Sequence, residues 1–213
     1  MKDFEPAIVG ISVWTTVFPA AKKVADLIKR CRKEVLVIAG GIHPTACDEE
    51  VARYPTIDFV VRGEGEKVFL ELLDCIKKGR AGLEDVRGIT YRKKGGGIER
   101  NPRPELISDL DSLPFPDKEA LWSPSLYTER ELGSLSTARG CPYECGFCCS
   151  HELWGRRVRA RSINSVLSEI KHLNEKCKVS FFVIYDENFT LDRNRLFRFC
   201  DSVAEARLPI HWY

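Results

Sequence analysis

The sequence predicts an α/β protein that begins with a partial, doubly wound parallel sheet. Three apolar runs rich in β-branched residues, at residues 7–13, 34–39 and 57–61, have the length and composition of buried parallel strands. Segments with apolar residues at helical spacing separate and follow these runs. Because strand and helix alternate, we expect helices on both faces of a Rossmann-like sheet.

Each predicted helix of this first part has a start signal or an apolar face. Pro19 favours a first helical turn, and an apolar pattern continues from it to Cys31. Residues 48–53 predict a short helix between the second and third strands. Apolar residues at helical spacing from Val68 to Ile76 predict a helix that ends near residue 78.

A hairpin and a linker are predicted next. The run Gly95-Gly96-Gly97 separates two short β-prone segments, residues 88–92 and 98–100, which is typical of a β-hairpin. Five prolines then fall within residues 101–124, and this density disfavours regular structure.

Strand and helix alternate again after the linker. Residues 134–138 predict a strand that leads into a cysteine-rich loop, and Ser162 is a predicted N-cap of a helix. The apolar run 179–185 predicts a strand that ends at Asp186, and the remaining elements are a helix that starts at Asp192 and a strand over residues 208–213.

These elements predict three regions: an α/β domain over residues 1–80, a hairpin and proline-rich linker over 81–133, and a second α/β region over 134–213. The first region has few strands for a doubly wound sheet, and the last strand has no helix after it. Since uncovered apolar strands favour aggregation, we expect the chain to be part of a longer protein, incomplete at both ends.

Composition narrows the class of partners. The 213 residues carry a net charge of +2, and no apolar run approaches the ~20 residues of a membrane helix. The N-terminus lacks the apolar core of a signal peptide. We therefore expect a cytoplasmic protein that binds neither nucleic acid nor membrane.

The basic run of arginines within residues 156–161 is read as a solvated face, as ion pairs that anchor the cysteine loop, or as a nucleic-acid patch.

The cysteine loop carries the most specific motif of the chain. Cys141, Cys145 and Cys148 are separated by three and then two residues, so one loop can offer three thiolates to a single metal centre. A [4Fe–4S] cluster held by three thiolates keeps one iron without a protein ligand, and that iron can bind a substrate or cofactor.

Two alternatives for this loop stay open. Zinc could be bound by the three cysteines together with His151. The thiols could also be inert, although packing does not explain three cysteines next to Gly140 and Gly146. Cys149 is left out of the ligand set because its side chain is expected to diverge from that of Cys148.

The motif resembles the signature of the radical S-adenosylmethionine (SAM) enzymes. Besides the cysteines, Arg139-Gly140-Cys141-Pro142 and Gly146-Phe147-Cys148 agree with it. The resemblance implies a full or partial (β/α) barrel with the cluster loop after its first strand, so that residues 134–213 would form its N-terminal portion. It also implies that a [4Fe–4S] cluster cleaves SAM reductively and yields a 5′-deoxyadenosyl radical, which takes a hydrogen atom from a substrate.

The same resemblance implies roles for individual residues. Cys141, Cys145 and Cys148 would hold the cluster, with Phe147 packed over the region of cluster and SAM. Asp186 and Glu187 would lie near the amino group of SAM, which acidic residues can hydrogen-bond. The alternative role of the segment from Asp186 is an N-cap for the next helix.

A second resemblance covers the first part of the chain. Three segments look like the cobalamin-binding domain that precedes the barrel in many radical SAM proteins: Gly10-Ile11-Ser12-Val13-Trp14-Thr15, Gly40-Gly41-Ile42-His43-Pro44-Thr45 and Gly63-Glu64-Gly65-Glu66. Each follows a predicted strand, at the edge where open α/β sheets bind ligands. The residues assigned to cobalamin are Ser12, Thr15, Gly40, Gly41, His43, Thr45, Gly63 and Glu64. Tight turns are the alternative reading, and the chain lacks the Asp-x-His-x-x-Gly run that supplies a histidine to cobalt.

The resulting functional prediction is a radical SAM enzyme that acts on a small-molecule substrate, by cobalamin-dependent methylation, cyclisation or rearrangement. Its cofactors would be a [4Fe–4S] cluster, SAM and cobalamin, and its electron donor a flavodoxin or ferredoxin. One alternative is a methylthiotransferase, which needs a second set of three cysteines, whereas Cys31, Cys47 and Cys75 lie far apart in the sequence. The other is a non-catalytic zinc or iron–sulfur module.

Overall fold

The structure is a computed structural model that describes residues 4–213. It contains two compact units, one formed by Met1–Leu106 with Glu144–Gly155 and the other by Ile107–Tyr143 with Arg156–Tyr213. Strands and helices alternate in both units, so the predicted α/β fold class is confirmed. The region boundaries at residues 80/81 and 133/134 stay predictions.

The first unit contains a five-stranded sheet in the order β1-β2-β3-β4-β5. Its strands are β1 (Ile8–Ser12), β2 (Leu36–Gly40), β3 (Phe59–Val61), β4 (Ile89–Arg92) and β5 (Ile98–Arg100). Its helices are α1 (Phe18–Cys31), α2 (Ile42–Ala46), α3 (Asp48–Arg53) and α4 (Gly65–Lys77), and α6 (Ser150–Trp154) is described below. The strands β1, β2 and β3 pair in parallel, as the apolar runs predict, while β4 and β5 pair antiparallel.

Alternation along β2 distributes its side chains between two apolar clusters. Val37 and Ala39 pack in one cluster with α1 and α3, whereas Ile38 packs in the other with α4. This is the period of two that a strand covered on both faces requires. The carboxyl ends of β1, β2 and β3 consequently share one edge of the sheet.

The predicted hairpin is confirmed, but it does not stand apart in a linker. Its strand β4 hydrogen-bonds to β3, with Val61 opposite Ile89. Buried Asp48 fastens the hairpin further, because it accepts hydrogen bonds from Thr90 Oγ1 (2.6 Å) and Arg100 Nε (2.7 Å) and lies 3.4 Å from Arg62 Nε. Burial alone would raise the pKa of Asp48, but these donors and charges outweigh it and lower the pKa.

The second unit contains a parallel sheet in the order β10-β9-β6 and a separate two-stranded ladder, β7-β8. Its strands are β6 (Ser134–Leu135), β7 (Ala138–Arg139), β8 (Arg159–Ala160), β9 (Phe181–Ile184) and β10 (His211–Trp212). Its helices are α5 (Glu129–Leu132), α7 (Ile163–Cys177) and α8 (Arg193–Glu205). Between residues 101 and 124 the structure has only short 3₁₀ turns, in agreement with the proline-rich pattern.

Packing in the second unit follows the predicted helical faces. Ser162 and Asp192 cap α7 and α8 through their side chains, as predicted. The ring of Phe199 on α8 is buried and makes edge-to-face contacts with Phe189 and Trp212. Helix α8 therefore covers β9 and β10. Because β6 and β9 pair in parallel, their carboxyl ends lie next to each other.

Candidate cofactor sites at the strand ends

The first candidate site lies at the carboxyl ends of β1, β2 and β3. The backbone N–H of Val13 donates to Gly40 O (2.8 Å), and that of His43 donates to Val13 O (3.2 Å). The loops after β1 and β2, which carry Ser12, Thr15, Gly40 and Gly41, are thereby joined. The structure therefore brings the residues predicted for cobalamin to one sheet edge.

Thr45 connects the second and third strand ends. Its hydroxyl donates to Gly41 O (2.8 Å) and accepts from Gly63 N (3.0 Å). Thr45 is buried, so this hydroxyl serves the loops themselves and does not face a ligand. Ser12 and Thr15, by contrast, are exposed hydroxyls at the same edge. The donors to a ligand that we expect are thus Ser12 and Thr15.

Gly41 has a positive φ of 98°. A Cβ on Gly41 would lie 3.0 Å from Val13 N and 3.2 Å from Ser12 Oγ. The close approach of the two loops therefore requires glycine here, independently of any ligand. Gly10 differs, because a Cβ there would meet no atom within 4 Å, so the surface beside β1 is open.

His43 is the buried titratable residue of this edge. Its Nδ1 lies 3.3 Å from Thr15 Oγ1, and its ring packs against Phe18 at 4.4 Å between centroids. Its Nε2 is buried without a hydrogen-bond partner. Exposed Ser12 and Thr15 and the open backbone at Gly10 form a polar, uncrowded edge, which fits a large ligand with amide side chains such as cobalamin, while His43 Nε2 is itself buried. Glu64 is buried beside Gly63.

The short helix α6 belongs to the same unit and packs against α2, which carries His43 and Thr45. Arg103 and Glu152 form an ion pair that helps to hold α6, and Gly155 follows it with a φ of 72°. Since α6 begins two residues after Cys148, the end of the cysteine loop is attached to the unit that contains the first candidate site.

The cysteine loop has the thiols that the motif predicts, and none of the three forms a disulfide. Cys145 and Cys148 share one turn, in which Cys148 N donates to Cys145 O (3.0 Å), and Cys148 Sγ lies 3.2 Å from Ser150 Oγ. Cys141 belongs to the second unit. Phe147 is 94% exposed, so its ring is available to pack on a bound group.

The structure does not gather these side chains into a finished metal site. Among residues 4–213, no group of three or more His, Cys, Asp or Glu side chains is arranged to hold a metal ion. His151, the predicted zinc partner, has Nε2 3.3 Å from a carboxylate oxygen of Glu152. In donor chemistry, three thiols within eight residues, none of them in a disulfide or fully buried, fit an iron–sulfur cluster, because thiolates are its usual protein ligands.

The arginine run is largely used inside the fold. Arg156 donates to Tyr143 O in the cysteine loop (2.7 Å), and Arg159 donates to Ile107 O (2.6 Å). Arg161 forms an ion pair with buried Glu169. Anchoring of the cysteine loop therefore describes Arg156, whereas Arg159 and Arg161 bind other parts of the second unit and Arg157 is exposed.

The second candidate site lies at the carboxyl ends of β6 and β9, where Asp186 and Glu187 follow β9. Both oxygens of Asp186 are occupied by Thr137 and Ala138. Burial raises the pKa of Glu187, although a hydrogen bond from the Gly140 backbone opposes the shift. The N-cap of α8 is Asp192, so Asp186 and Glu187 do not fill the N-cap role.

Sequence reasoning missed Thr137 and Arg195. Thr137 is fully buried, and Arg195 donates to its hydroxyl (3.1 Å) and to its carbonyl (3.2 Å). No local spacing connects residues 137, 186 and 195, so only the paired strands reveal this cluster. The only signal in the sequence is the position of Thr137, four residues before Cys141.

Known proteins resemble this chain over nearly its whole length. Residues 1–73 match the B12 binding domain family. The chain is 35% identical to an uncharacterized methyltransferase, PH0819, of Pyrococcus horikoshii, over 100% of this chain and 46% of that protein. It is 33% identical to the anaerobic magnesium-protoporphyrin IX monomethyl ester cyclase of Rubrivivax gelatinosus, over 98% of this chain and 38% of the relative.

A solved structure shares the fold. It is the radical S-adenosylmethionine methyltransferase TsrM from Kitasatospora setae, with cobalamin and a [4Fe–4S] cluster bound. It superposes with a TM-score of 0.78 at 20% identity and covers 97% of this chain and 42% of that one. The chain is thus similar over nearly its whole length to these proteins, and its first 73 residues match the B12 binding domain family. It spans less than half the length of these relatives.

The B12-binding match covers β1, β2 and β3 with their strand-end loops. Within residues 4–213, no helix has the length and apolarity needed to cross a membrane.

Proposed function

We propose that this chain is the cofactor-binding part of an enzyme that cleaves SAM reductively and transforms a small molecule by radical chemistry. Cys141, Cys145 and Cys148 hold a [4Fe–4S] cluster, and the ends of β1, β2 and β3 hold cobalamin. Methyl transfer and ring closure are the two outcomes favoured, because relatives are named as a methyltransferase and a cyclase.

The observation that carries the proposal is the packing of α6 on α2. Cys145 and Cys148 precede α6, while α2 contains His43 and Thr45 of the candidate cobalamin edge. One compact unit therefore contains two of the proposed cluster ligands and the proposed cobalamin residues. An enzyme that uses both cofactors in one reaction needs them close to each other.

Each cofactor supplies chemistry that the side chains lack. A [4Fe–4S] cluster supplies the electron that cleaves SAM, and cobalamin supplies a carrier for a methyl group. The residues of this chain bind and orient the cofactors and SAM. Ser12 and Thr15 donate hydrogen bonds at the sheet edge, Phe147 offers an apolar face next to the cluster ligands, and Glu187 offers a carboxylate to the SAM amino group.

The proposal includes a partner and a compartment. Reductive cleavage needs an external electron, for which a flavodoxin or ferredoxin is suited. None of the nine cysteines forms a disulfide, which suits a reducing compartment such as the cytoplasm.

Anaerobic reconstitution with iron and sulfide tests the cluster. We expect about four irons per chain and formation of 5′-deoxyadenosine from SAM after reduction with dithionite. Cys145→Ala should abolish both, whereas Cys149→Ala is the matched control, because it removes an exposed neighbouring thiol outside the motif. Stoichiometric zinc without iron uptake would instead support the non-catalytic module.

Titration with hydroxocobalamin, followed by its absorbance, tests the other site. Thr15→Val should weaken binding, because it removes an exposed hydroxyl at the sheet edge. Thr16→Val is the control, since Thr16 is exposed in the same 3₁₀ turn but is not one of the predicted ligand residues. Equal binding by both variants, or no binding by the unmodified protein, would contradict the cobalamin site.

A further inference from the structure

Asp186 occupies a special position in the second unit. The parallel pairing of β6 and β9 ends at Leu135 and Ile184, and Tyr185 N adds one more hydrogen bond, to Leu135 O (2.8 Å). Beyond this point the backbones no longer pair. The side chain of Asp186 takes over and connects the end of β9 to the residues that lead into the cysteine loop.

Both carboxylate oxygens of Asp186 are engaged. Oδ1 accepts from Thr137 N (2.6 Å) and from Ala138 N (3.0 Å), and Oδ2 accepts from Thr137 Oγ1 (2.5 Å). Three donors on one carboxylate, two of them backbone amides, fix both its position and that of the adjacent backbone. These three bonds leave about one of the carboxylate's roughly four lone-pair positions for a ligand, so holding the backbone is its main task.

Thr137 also accepts hydrogen bonds from two arginines. Arg195 on α8 donates to Thr137 Oγ1 (3.1 Å) and Thr137 O (3.2 Å), and Arg161 N donates to Thr137 O (2.9 Å). Burial lowers the pKa of Arg195, and the negative charge of Asp186 opposes this shift and so favours the charged guanidinium. Every polar group of Thr137 therefore has a partner from a different element.

Glu187 continues the pattern toward the cysteines. Its carboxylate accepts a hydrogen bond from the backbone of Gly140, which is buried and has a φ of 90°. Arg139 lies in the ladder β7-β8, opposite Arg159. The four residues before Cys141 are thus held by two adjacent carboxylates and one strand pair.

We propose that Asp186 is a positioning residue, which fixes the direction in which residues 137–140 enter the cysteine loop and so sets the placement of Cys141. This inference rests on the proposed function, because it concerns the loop that would hold the cluster. It replaces the predicted contact of Asp186 with the SAM amino group, a task for which only Glu187 is left at this strand end.

Amide hydrogen exchange of the metal-free protein tests the positioning without any cofactor. Asp186→Ala should raise the exchange rates of Thr137 and Ala138 at least ~tenfold, because their N–H groups lose a charged acceptor. Asp186→Asn, which keeps one acceptor oxygen, should give a smaller increase and remains informative where the alanine variant does not fold. Asp201→Asn is the matched control, since Asp201 is exposed on α8, and it should change neither amide.

Cluster loading and SAM binding of the reconstituted protein give the second readout. We expect Asp186→Asn to lower iron retention, while the cluster that remains still changes its electron paramagnetic resonance spectrum on addition of SAM. Unchanged exchange at residues 137–140, or raised exchange with unchanged iron retention, would overturn the positioning role. Loss of the response to SAM with unchanged exchange would show that Asp186 contacts SAM, and would overturn it as well.

The two proposals fail in different ways. If the unmodified protein takes up no iron, the proposed function fails, and the exchange rates still decide whether Asp186 fixes residues 137–140. If iron and SAM bind as expected but exchange is insensitive to Asp186, only the positioning role fails.

Discussion

The strand-end edges of the two units are braced by different chemistry. In the first unit the hydrogen bonds that join the loops come from uncharged groups, with the buried Asp48–Arg62 pair beside them: the Thr45 hydroxyl bonds to Gly41 and Gly63, and Gly41 packs closely on Val13. In the second unit carboxylates hold backbone amides at both ends of β9, Asp186 at the strand-end edge and Glu129 at the opposite end, where it accepts from Ser180 N (2.6 Å). Charged acceptors make stronger hydrogen bonds, but they depend on pH and on paired charges.

The two units should therefore be destabilised by different kinds of substitution. The first edge depends on shape, so steric changes should damage it most. The second edge depends on charge, so neutralising substitutions and acid should damage it most. The following changes test this distinction in order of decreasing expected effect.

Arg161→Met should destabilise the second unit most, by about 3–5 kcal/mol, because Glu169 would remain as an unpaired charge in the core. Glu169 is only 2% exposed and forms an ion pair with Arg161. Urea unfolding measures the change. Arg157→Met is the control, because Arg157 is exposed in the same run, and it should shift stability by less than ~0.5 kcal/mol. Similar effects of both variants would contradict a charge-dependent second unit.

Gly41→Ala should destabilise the first unit by about 2 kcal/mol or more, since its φ of 98° and ψ of −170° suit glycine and the new Cβ would press on Val13. Gly10→Ala is the matched control, because a Cβ there meets no atom within 4 Å. Thermal unfolding distinguishes the two. If the variants melt alike, the first edge does not depend on close loop packing.

Thr45→Val should have a smaller effect, about 1 kcal/mol, because the isosteric side chain fills the same space but loses both hydrogen bonds of the hydroxyl. Amide exchange at Gly63 should rise, since its N–H loses its acceptor. A variant as stable as the unmodified protein, with unchanged exchange at Gly63, would show that the hydroxyl does not connect these loops.

Acid should weaken the second unit through Glu129. The backbone N–H of Ser180 lowers the pKa of Glu129, with further hydrogen bonds from the Ser180 side chain and Phe181. A carboxylate with a lowered pKa in the folded state stabilises the fold above its unfolded pKa, and this contribution is lost as pH falls through the folded pKa. The exchange rates of Ser180 and Phe181 should therefore rise as pH is lowered below the ordinary glutamate pKa near 4.5, after correction for the intrinsic rate.

Glu129→Gln should remove most of this pH dependence, whereas Glu175→Gln, at an exposed position on α7, should leave it unchanged. A pH dependence that survives in Glu129→Gln would assign the acid sensitivity to another carboxylate.

The periodic elements could be predicted from sequence because their physics is local. Alternation and β-branched content identified β1, β2, β3 and β9, and side-chain caps identified the starts of α7 and α8. The predicted strand 134–138 is interrupted in the structure, since β6 ends at Leu135 and β7 begins at Ala138, with the buried Thr137 between them.

The short helices were harder to predict from the sequence. Residues 42–46 look like a loop after two glycines, yet they form α2, which packs against α6, an element distant in the sequence. The candidate sites were likewise predictable only in part. The motifs located the loops, but the use of Thr45 and Asp186 inside the fold depends on contacts across 18 and 49 residues that no spacing encodes.

The placement of α6 affects which segments of this chain can be exchanged by recombination with a related protein. Since Glu144–Gly155 belongs to the unit formed by Met1–Leu106, the backbone passes between the units at three junctions, after residues 106, 143 and 155. A recombination event that exchanged only the segment up to Leu106 would bring in an α2 that had not coevolved with its covering helix. Descendants that swap B12-binding halves should therefore also exchange residues 144–155, or acquire compensating changes along the shared face.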